Sequence, residues 1–145
     1  MASKIVFNVE EIDFKLKNKL KITAWLTQII KSHGFKLSAL NFIFCSDDYL
    51  FNINMEYLNH NTLTDIITFD NSEEKGCIEG DIFISVDRVR ENAEIFKVTF
   101  EKELLRVLVH GTLHLLGFKD KNAKDQKEMT AKEEECLVLW AIQNV

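Results

Sequence analysis

Residues 99–116 constrain the fold of this chain most, because their helical pattern is apolar almost all the way round. At about 100° per residue, the polar side chains that point away from the apolar surface fall on one stripe about 80° wide. A helix of this kind must be buried, with its one polar stripe facing a cleft. The stripe consists of Glu103, Arg106, His110 and His114.

The rest of the 145-residue chain alternates between strand and helix patterns. Apolar residues with a period of two predict strands at 4–9, 37–45, 64–69 and 81–86. Apolar residues spaced by three and four predict helices at 14–33, 46–57, 87–97, 99–116 and 123–142. The last two strands, joined by an acidic loop with Gly76 and Gly80, are expected to pair as a hairpin. This order predicts an α/β (α+β) fold in a single domain over residues 1–145, with a mixed four-stranded sheet and about five helices.

The charge of the chain argues against a general nucleic-acid binder, because the formal net charge is −5. The charge is uneven, however: residues 1–36 contain seven lysines and three acidic residues. A second basic patch consists of Lys119, Lys121, Lys124 and Lys127. Either patch could contact a polyanion locally or be a solvated helix face.

The cysteines and the apolar runs exclude other classes of protein. Three cysteines without CxxC spacing are untypical of a disulfide scaffold or a zinc ribbon. The longest apolar run, residues 136–142, is far shorter than a membrane span, and no signal-peptide core follows Met1. The sequence therefore predicts a cytoplasmic protein with no membrane segment.

The spacing of His110 and His114 predicts a metal site, because two imidazoles four residues apart on one helix face can reach a single cation. Gly117 favours a left-handed turn at the helix end, and Asp120 then lies where the returning chain can supply a third ligand. The alternative is that Asp120 caps the next helix. These offsets match the metzincin layout, but Gly111 replaces the glutamate that is the general base of those peptidases.

Residues 110–118, HGTLHLLGF, resemble the His-Gly-x-Leu-His-Leu-x-Gly-Tyr-Asp-His signature of the YbeY-type endoribonucleases. Tyr57 with the TDIITF segment at 64–69, the GDIFIS segment at 80–85, and Met129 with residues 133–135 are similar to other parts of that family. Three positions depart from the family pattern. Asp120 stands at the position of the third histidine, Leu58 at that of an arginine, and Asn61 at that of an aspartate.

The resemblance implies a metal-dependent, single-strand-specific endoribonuclease. Such an enzyme acts in rRNA maturation, notably at the 3′ end of 16S rRNA, and in ribosome quality control. The resemblance also implies single-stranded rRNA and the small ribosomal subunit as partners, and one zinc ion held by three ligands. The ligand positions in this chain are His110, His114 and Asp120, and the carboxylate would make other divalent metals possible. Two other hypotheses remain: a non-catalytic, metal-stabilised ribosome-assembly factor, and a minimal metallopeptidase, which Gly111 disfavours.

Three further residues have two interpretations each. Arg106 could clamp a phosphate in place of the family arginine, or form a salt bridge with Glu103. His60 could act as a catalytic acid or base, or be an exposed loop residue. Asp65 could orient a ligand histidine, or cap a turn.

Overall fold

The computed structural model describes residues 4–58 and 64–144, and within them one mixed sheet carries the fold. Its strands lie in the order β1-β2-β4-β3. β1 pairs with β2 and β2 pairs with β4 in parallel, whereas β3 pairs with β4 antiparallel. The hairpin predicted for the last two strands is thus confirmed. The strand bounds are β1 Ile5–Glu10, β2 Lys36–Cys45, β3 Ile66–Asp70 and β4 Cys77–Ser85.

The described part of the chain has five helices, in agreement with the α/β prediction; the first four pack on this sheet, and the last packs on the helix before it. Their bounds are α1 Lys19–Ser32, α2 Asp47–Leu58, α3 Val86–Phe96, α4 Phe100–Leu115 and α5 Ala123–Gln143. The main core includes Phe42 and Phe44 of β2 with Trp25 of α1 and Leu108 of α4. A smaller cluster includes Cys45 with residues of α2. Because successive residues of a strand point to opposite faces, the sheet separates the two clusters.

The helix that carries the polar stripe is central to the main core. Thr99 caps its beginning, since its side chain accepts a hydrogen bond from the backbone N–H of Lys102. Both Leu108 and Leu113 of α4 are fully buried. None of the helices in the described residues is long and apolar enough to cross a membrane.

Two predicted element boundaries are wrong. Helix α1 begins at Lys19 and not at residue 14, because Asn18 has a left-handed backbone with a φ of 61°. Phe14 and Leu16 before it both contact the core, and residues two apart share a face only in extended chain.

The second correction concerns β4, which begins at Cys77 and not at residue 81. Gly80 was expected in the loop but lies within the strand, where a Cβ atom would be 2.6 Å from the backbone oxygen of Phe69. The glycine therefore permits the close approach of β3, rather than a turn.

Candidate metal centre

The C-terminal half of α4 lies directly against the hairpin of β3 and β4, and Gly111 is the reason. A Cβ atom at Gly111 would lie 2.8 Å from Cδ1 of Ile66 and 3.0 Å from Cγ2 of Ile82. Contacts this short mean that any side chain at residue 111 must displace Ile66 and Ile82, and a large side chain must displace them further. A glutamate cannot occupy the position that holds the general base of metzincins, so the site lacks that base for a physical reason.

His110, His114 and Asp120 bring three ligand atoms together. The two Nε2 atoms of the histidines are 3.0 Å apart. Oδ2 of Asp120 lies 3.4 Å from Nε2 of His110 and 3.3 Å from Nε2 of His114. Tetrahedral coordination with metal–ligand distances of about 2.0–2.1 Å separates neighbouring ligand atoms by about 3.3–3.4 Å. The three residues therefore form a group that fits a metal ion.

The hydrogen bonds of the His110 and His114 rings favour a cation between the three ligand atoms. Nδ1 of His110 lies 2.5 Å from a carboxylate oxygen of Glu133, and Nδ1 of His114 lies 3.0 Å from the backbone oxygen of Phe118. Both partners are acceptors, so each Nδ1 carries the hydrogen and the lone pair of Nε2 is available on each ring when it is neutral. With Oδ2 of Asp120, three acceptor atoms then face one another, an arrangement that a metal ion among them would stabilise.

The turn after α4 brings the aspartate back to the histidines. Gly117 has a φ of +104°, as the sequence predicted, and the N–H of Phe118 donates to the backbone oxygen of Leu113 at 3.0 Å. The alternative role for Asp120, as the cap of α5, is wrong. Asn122 is the cap, since its side chain accepts from the N–H of Asp125 at 2.8 Å.

Arg106, one turn before His110, is bound by two carboxylates of α5. Its Nη1 donates to Oε1 of Glu133 at 2.8 Å, and its Nη2 pairs with Glu134. The predicted alternative, a salt bridge with Glu103, is therefore wrong, because the acidic residues of α5 take both ends of the guanidinium. Burial opposes the charge of Arg106, but these two partners keep its pKa above the usual value.

A cavity of about 430 Å³ opens beside these residues, lined by Asp65, Glu103, Arg106, His110 and Asp120 among others. Burial raises the pKa of Asp65, although the nearby His110 opposes the shift. Burial also raises the pKa of Glu103, and the charge of Asp65 adds to it. Several carboxylates around one small cavity make it a favourable place for a cation.

Glu133 lies at this site, although the sequence analysis named it only as part of the family resemblance and gave it no role. Asp65 was the candidate for orienting a histidine, but the carboxylate that contacts Nδ1 of His110 belongs to Glu133. Burial disfavours a charged His110, yet the hydrogen bond and charge of Glu133 raise its pKa above the ordinary value. The available signal was an acidic residue between the buried Met129 and Leu137 on one face of α5.

Two of the singled-out positions, His60 and Asn61, lie outside the described residues. Leu58, at the position of the family arginine, ends α2 and is exposed. The structure thus brings together His110, His114, Asp120 and Arg106 from the predicted set.

The model of the endoribonuclease YbeY family matches residues 5–141. The chain belongs to the endoribonuclease YbeY family. It is 50% identical over 135 residues to the endoribonuclease YbeY of Cytophaga hutchinsonii, covering 93% of this chain and 94% of that relative. The endoribonuclease YbeY of Flavobacterium psychrophilum is 49% identical over 138 residues, covering 95% of this chain and 97% of the relative.

A solved structure agrees with the same YbeY assignment at the level of the fold. The solution structure of a protein from Thermotoga maritima superposes with a TM-score of 0.64 and 33% sequence identity. The match covers 97% of this chain and 93% of that chain. The region matched by the YbeY family model includes α4, the following loop and most of α5, which together carry the candidate metal centre.

Proposed function

We propose that this chain is a metal-dependent, single-strand-specific endoribonuclease that acts in rRNA maturation, at the 3′ end of 16S rRNA, and in ribosome quality control. The observation that supports this most is the convergence of three ligand atoms, within 4.8 Å of one another, in a chain of an endoribonuclease family. Its partners would then be single-stranded rRNA and the small ribosomal subunit, and its place of action the cytoplasm.

The proposed metal ligands are His110, His114 and Asp120, and the proposed ion is zinc. Two imidazoles and a carboxylate are an ordinary zinc ligand set, and a carboxylate also suits harder ions such as Mn²⁺. A metal bound there would polarise a phosphoryl oxygen or lower the pKa of a water molecule. His110, His114 and Asp120 would hold the metal, and His110 and Asp120 also line the cavity that would receive the RNA.

Arg106 is the proposed phosphate contact. It lines the same cavity as His110 and is partly exposed, so its guanidinium is within reach of a bound strand. Its partner Glu134 is exposed, and exposed ion pairs contribute little to stability. A phosphate can therefore replace Glu134 at small cost, while the pair with the buried Glu133 remains.

His60 is the proposed catalytic acid or base, because imidazole titrates near neutral pH and a general acid or base contributes about 10²–10⁴-fold to a rate. Replacing His60 with glutamine is expected to slow cleavage by at least about 10²-fold while the bound metal stays unchanged. Equal cleavage rates for the variant and the wild type across pH would contradict this role.

Purified full-length protein tests the proposed function directly. It is incubated with a single-stranded RNA that spans the 3′ end of 16S rRNA, with the same RNA in a duplex, and with casein. We expect cleavage of the single strand alone, loss of cleavage with a chelator, and recovery on addition of Zn²⁺. RNA binding without cleavage would support the assembly-factor hypothesis instead, and casein cleavage would support the peptidase.

A further inference from the structure

Glu133 joins the proposed phosphate contact to the proposed metal ligand. Its Oε2 lies 2.5 Å from Nδ1 of His110, and its Oε1 accepts from Nη1 of Arg106 at 2.8 Å. Each oxygen of the carboxylate thus has one partner, and both partners belong to the candidate site. The two contacts connect α5 with α4 at the level of the metal ligands.

The burial of Glu133 indicates that these contacts are specific. Glu133 is only 6% exposed and shares a buried stripe of α5 with Met129, Cys136 and Leu137. A buried carboxylate is costly unless it is paired and hydrogen-bonded. The neighbouring Glu134 and Glu135 are exposed, so solubility does not account for an acidic residue at 133.

The contact with Glu133 decides which nitrogen of His110 faces the metal position. An acceptor at Nδ1 keeps the hydrogen there and leaves the lone pair of Nε2 directed towards His114 and Asp120. His114 receives the same restraint from a backbone oxygen, that of Phe118. Of the two restraints, only the one on His110 comes from a side chain and can be removed by substitution.

We propose that Glu133 is a positioning residue for the metal centre: it fixes the tautomer and orientation of His110, and Arg106 in turn holds Glu133 in place. Glu133 is not one of the three residues whose ligand atoms converge, so its effect on the metal position passes through His110. The inference rests on the proposed function, since it assumes that His110 binds the metal.

Glu133→Gln is the variant that separates positioning from packing. Glutamine has nearly the same size, but His110 and Arg106 contact different oxygens of Glu133, so the NH₂ group of glutamine must face one of the two donors. The matched control is Glu134→Gln, which removes the same charge and the other Arg106 pair but has no contact with His110. If the glutamine variant does not fold, the same measurements are made on Glu133→Asp, which keeps the charge on a shorter side chain.

The first measurement is the affinity of the metal-free full-length protein for Zn²⁺. Loss of such a histidine partner typically weakens metal binding by about 10–100-fold, and we expect that loss for Glu133→Gln. Glu134→Gln should change the affinity by less than about twofold, because no metal ligand loses a hydrogen bond. The second measurement is the ¹⁵N NMR shifts of the two histidines without metal. In Glu133→Gln, His110 should lose its fixed Nδ1–H tautomer, while His114 keeps the tautomer set by Phe118.

Two results would overturn the inference while leaving the proposed function intact. In the first, Glu133→Gln binds Zn²⁺ as tightly as the wild type. In the second, Glu133→Gln and Glu134→Gln lose the same affinity for Zn²⁺ and the tautomer of His110 stays fixed. A wild-type protein that binds no metal would instead contradict the proposed function itself, and the inference with it.

Discussion

At the scale of single residues, Gly111 separates this site from the peptidase pattern that its spacing resembles. The missing side chain allows α4 to approach Ile66 and Ile82, and the same closeness excludes a glutamate base. The residue that argues against a peptidase in the sequence is thus also required by the packing of helix on sheet.

Gly111→Ala is predicted to destabilise the protein although alanine is the better helix former. Overpacking a core costs about 1–3 kcal/mol and the gain in helix propensity is about 1 kcal/mol, so we expect a net loss of up to about 2 kcal/mol in the free energy of unfolding. Urea unfolding of the variant and the wild type measures this difference in stability. Adding Ile66→Val removes the Cδ1 atom that lies 2.8 Å from the new Cβ. The double variant should therefore lose less than the sum of the single ones, and strict additivity would contradict the steric account.

Asp120 is predicted to act as a ligand, and two substitutions test this. Asp120→Asn should lower the affinity for Zn²⁺, because a neutral amide is a weaker ligand than a carboxylate, whereas Asp120→His should keep or raise it. The control is Asn122→Ala, which removes the cap of α5 and should cost about 1 kcal/mol of stability with the metal affinity unchanged. If both Asp120 variants bind Zn²⁺ like the wild type, Asp120 is not a ligand.

Sequence spacing identified His110, His114 and Asp120 as one group, because helix periodicity and a glycine turn fix their relative positions locally. Glu133 could not be found in this way. Its contact with His110 joins residues on different helices, and the spacing within each helix says nothing about how the two helices face each other.

At the scale of elements, the turn between α4 and α5 connects the proposed metal centre to the rest of the fold. The N–H of Gly117 donates to the backbone oxygen of His114, and Asp120 lies against both histidines. A bound metal would therefore tie the segment 117–122 to α4.

Removal of the metal is predicted to loosen this segment. Hydrogen exchange of the amides of residues 119–122 should accelerate in the presence of a chelator, because metal binding and local order are linked. The amides of α1 (Lys19–Ser32), which does not contribute a ligand, should exchange at the same rate with and without metal. Unchanged protection in the turn would mean that no tether forms there.

Element boundaries were harder to predict than the elements themselves. The helix predicted at 14–33 begins too early in the sequence. Phe14 and Leu16 are apolar and precede the true helix directly, but they reach the core from an extended segment. The sequence predicts Gly80 in the loop between the last two strands, since sequence alone does not distinguish a glycine needed for a left-handed backbone from one needed for a close approach.

At the scale of the whole molecule, the order of elements was sufficient to predict an α/β fold with a mixed sheet. The strand order β1-β2-β4-β3 was not predicted, because it depends on where each connection places its strand. The uneven charge predicted from the sequence is present on the folded surface. Lys119, Lys121, Lys124 and Lys127 are all exposed, on either side of Asp120 in the chain.

RNA binding by this acidic protein is predicted to depend strongly on salt. If these four lysines contact phosphates of a single strand, log affinity should fall with log salt with a slope of about −3, so that a fourfold rise in salt weakens binding about 50-fold. Lys121→Gln should make the slope shallower by about 0.7. Fluorescence anisotropy with a labelled single-stranded RNA measures both, and an affinity independent of salt would contradict this placement of the RNA.

The most direct test of the central claim is to measure the metal content and the RNA cleavage of the same preparations of wild-type and His114→Ala protein. We expect about one divalent metal ion per chain in the wild type, and loss of both the metal and cleavage in the variant, while circular dichroism shows the fold retained. Cleavage at the wild-type rate by a metal-free His114→Ala protein would contradict it.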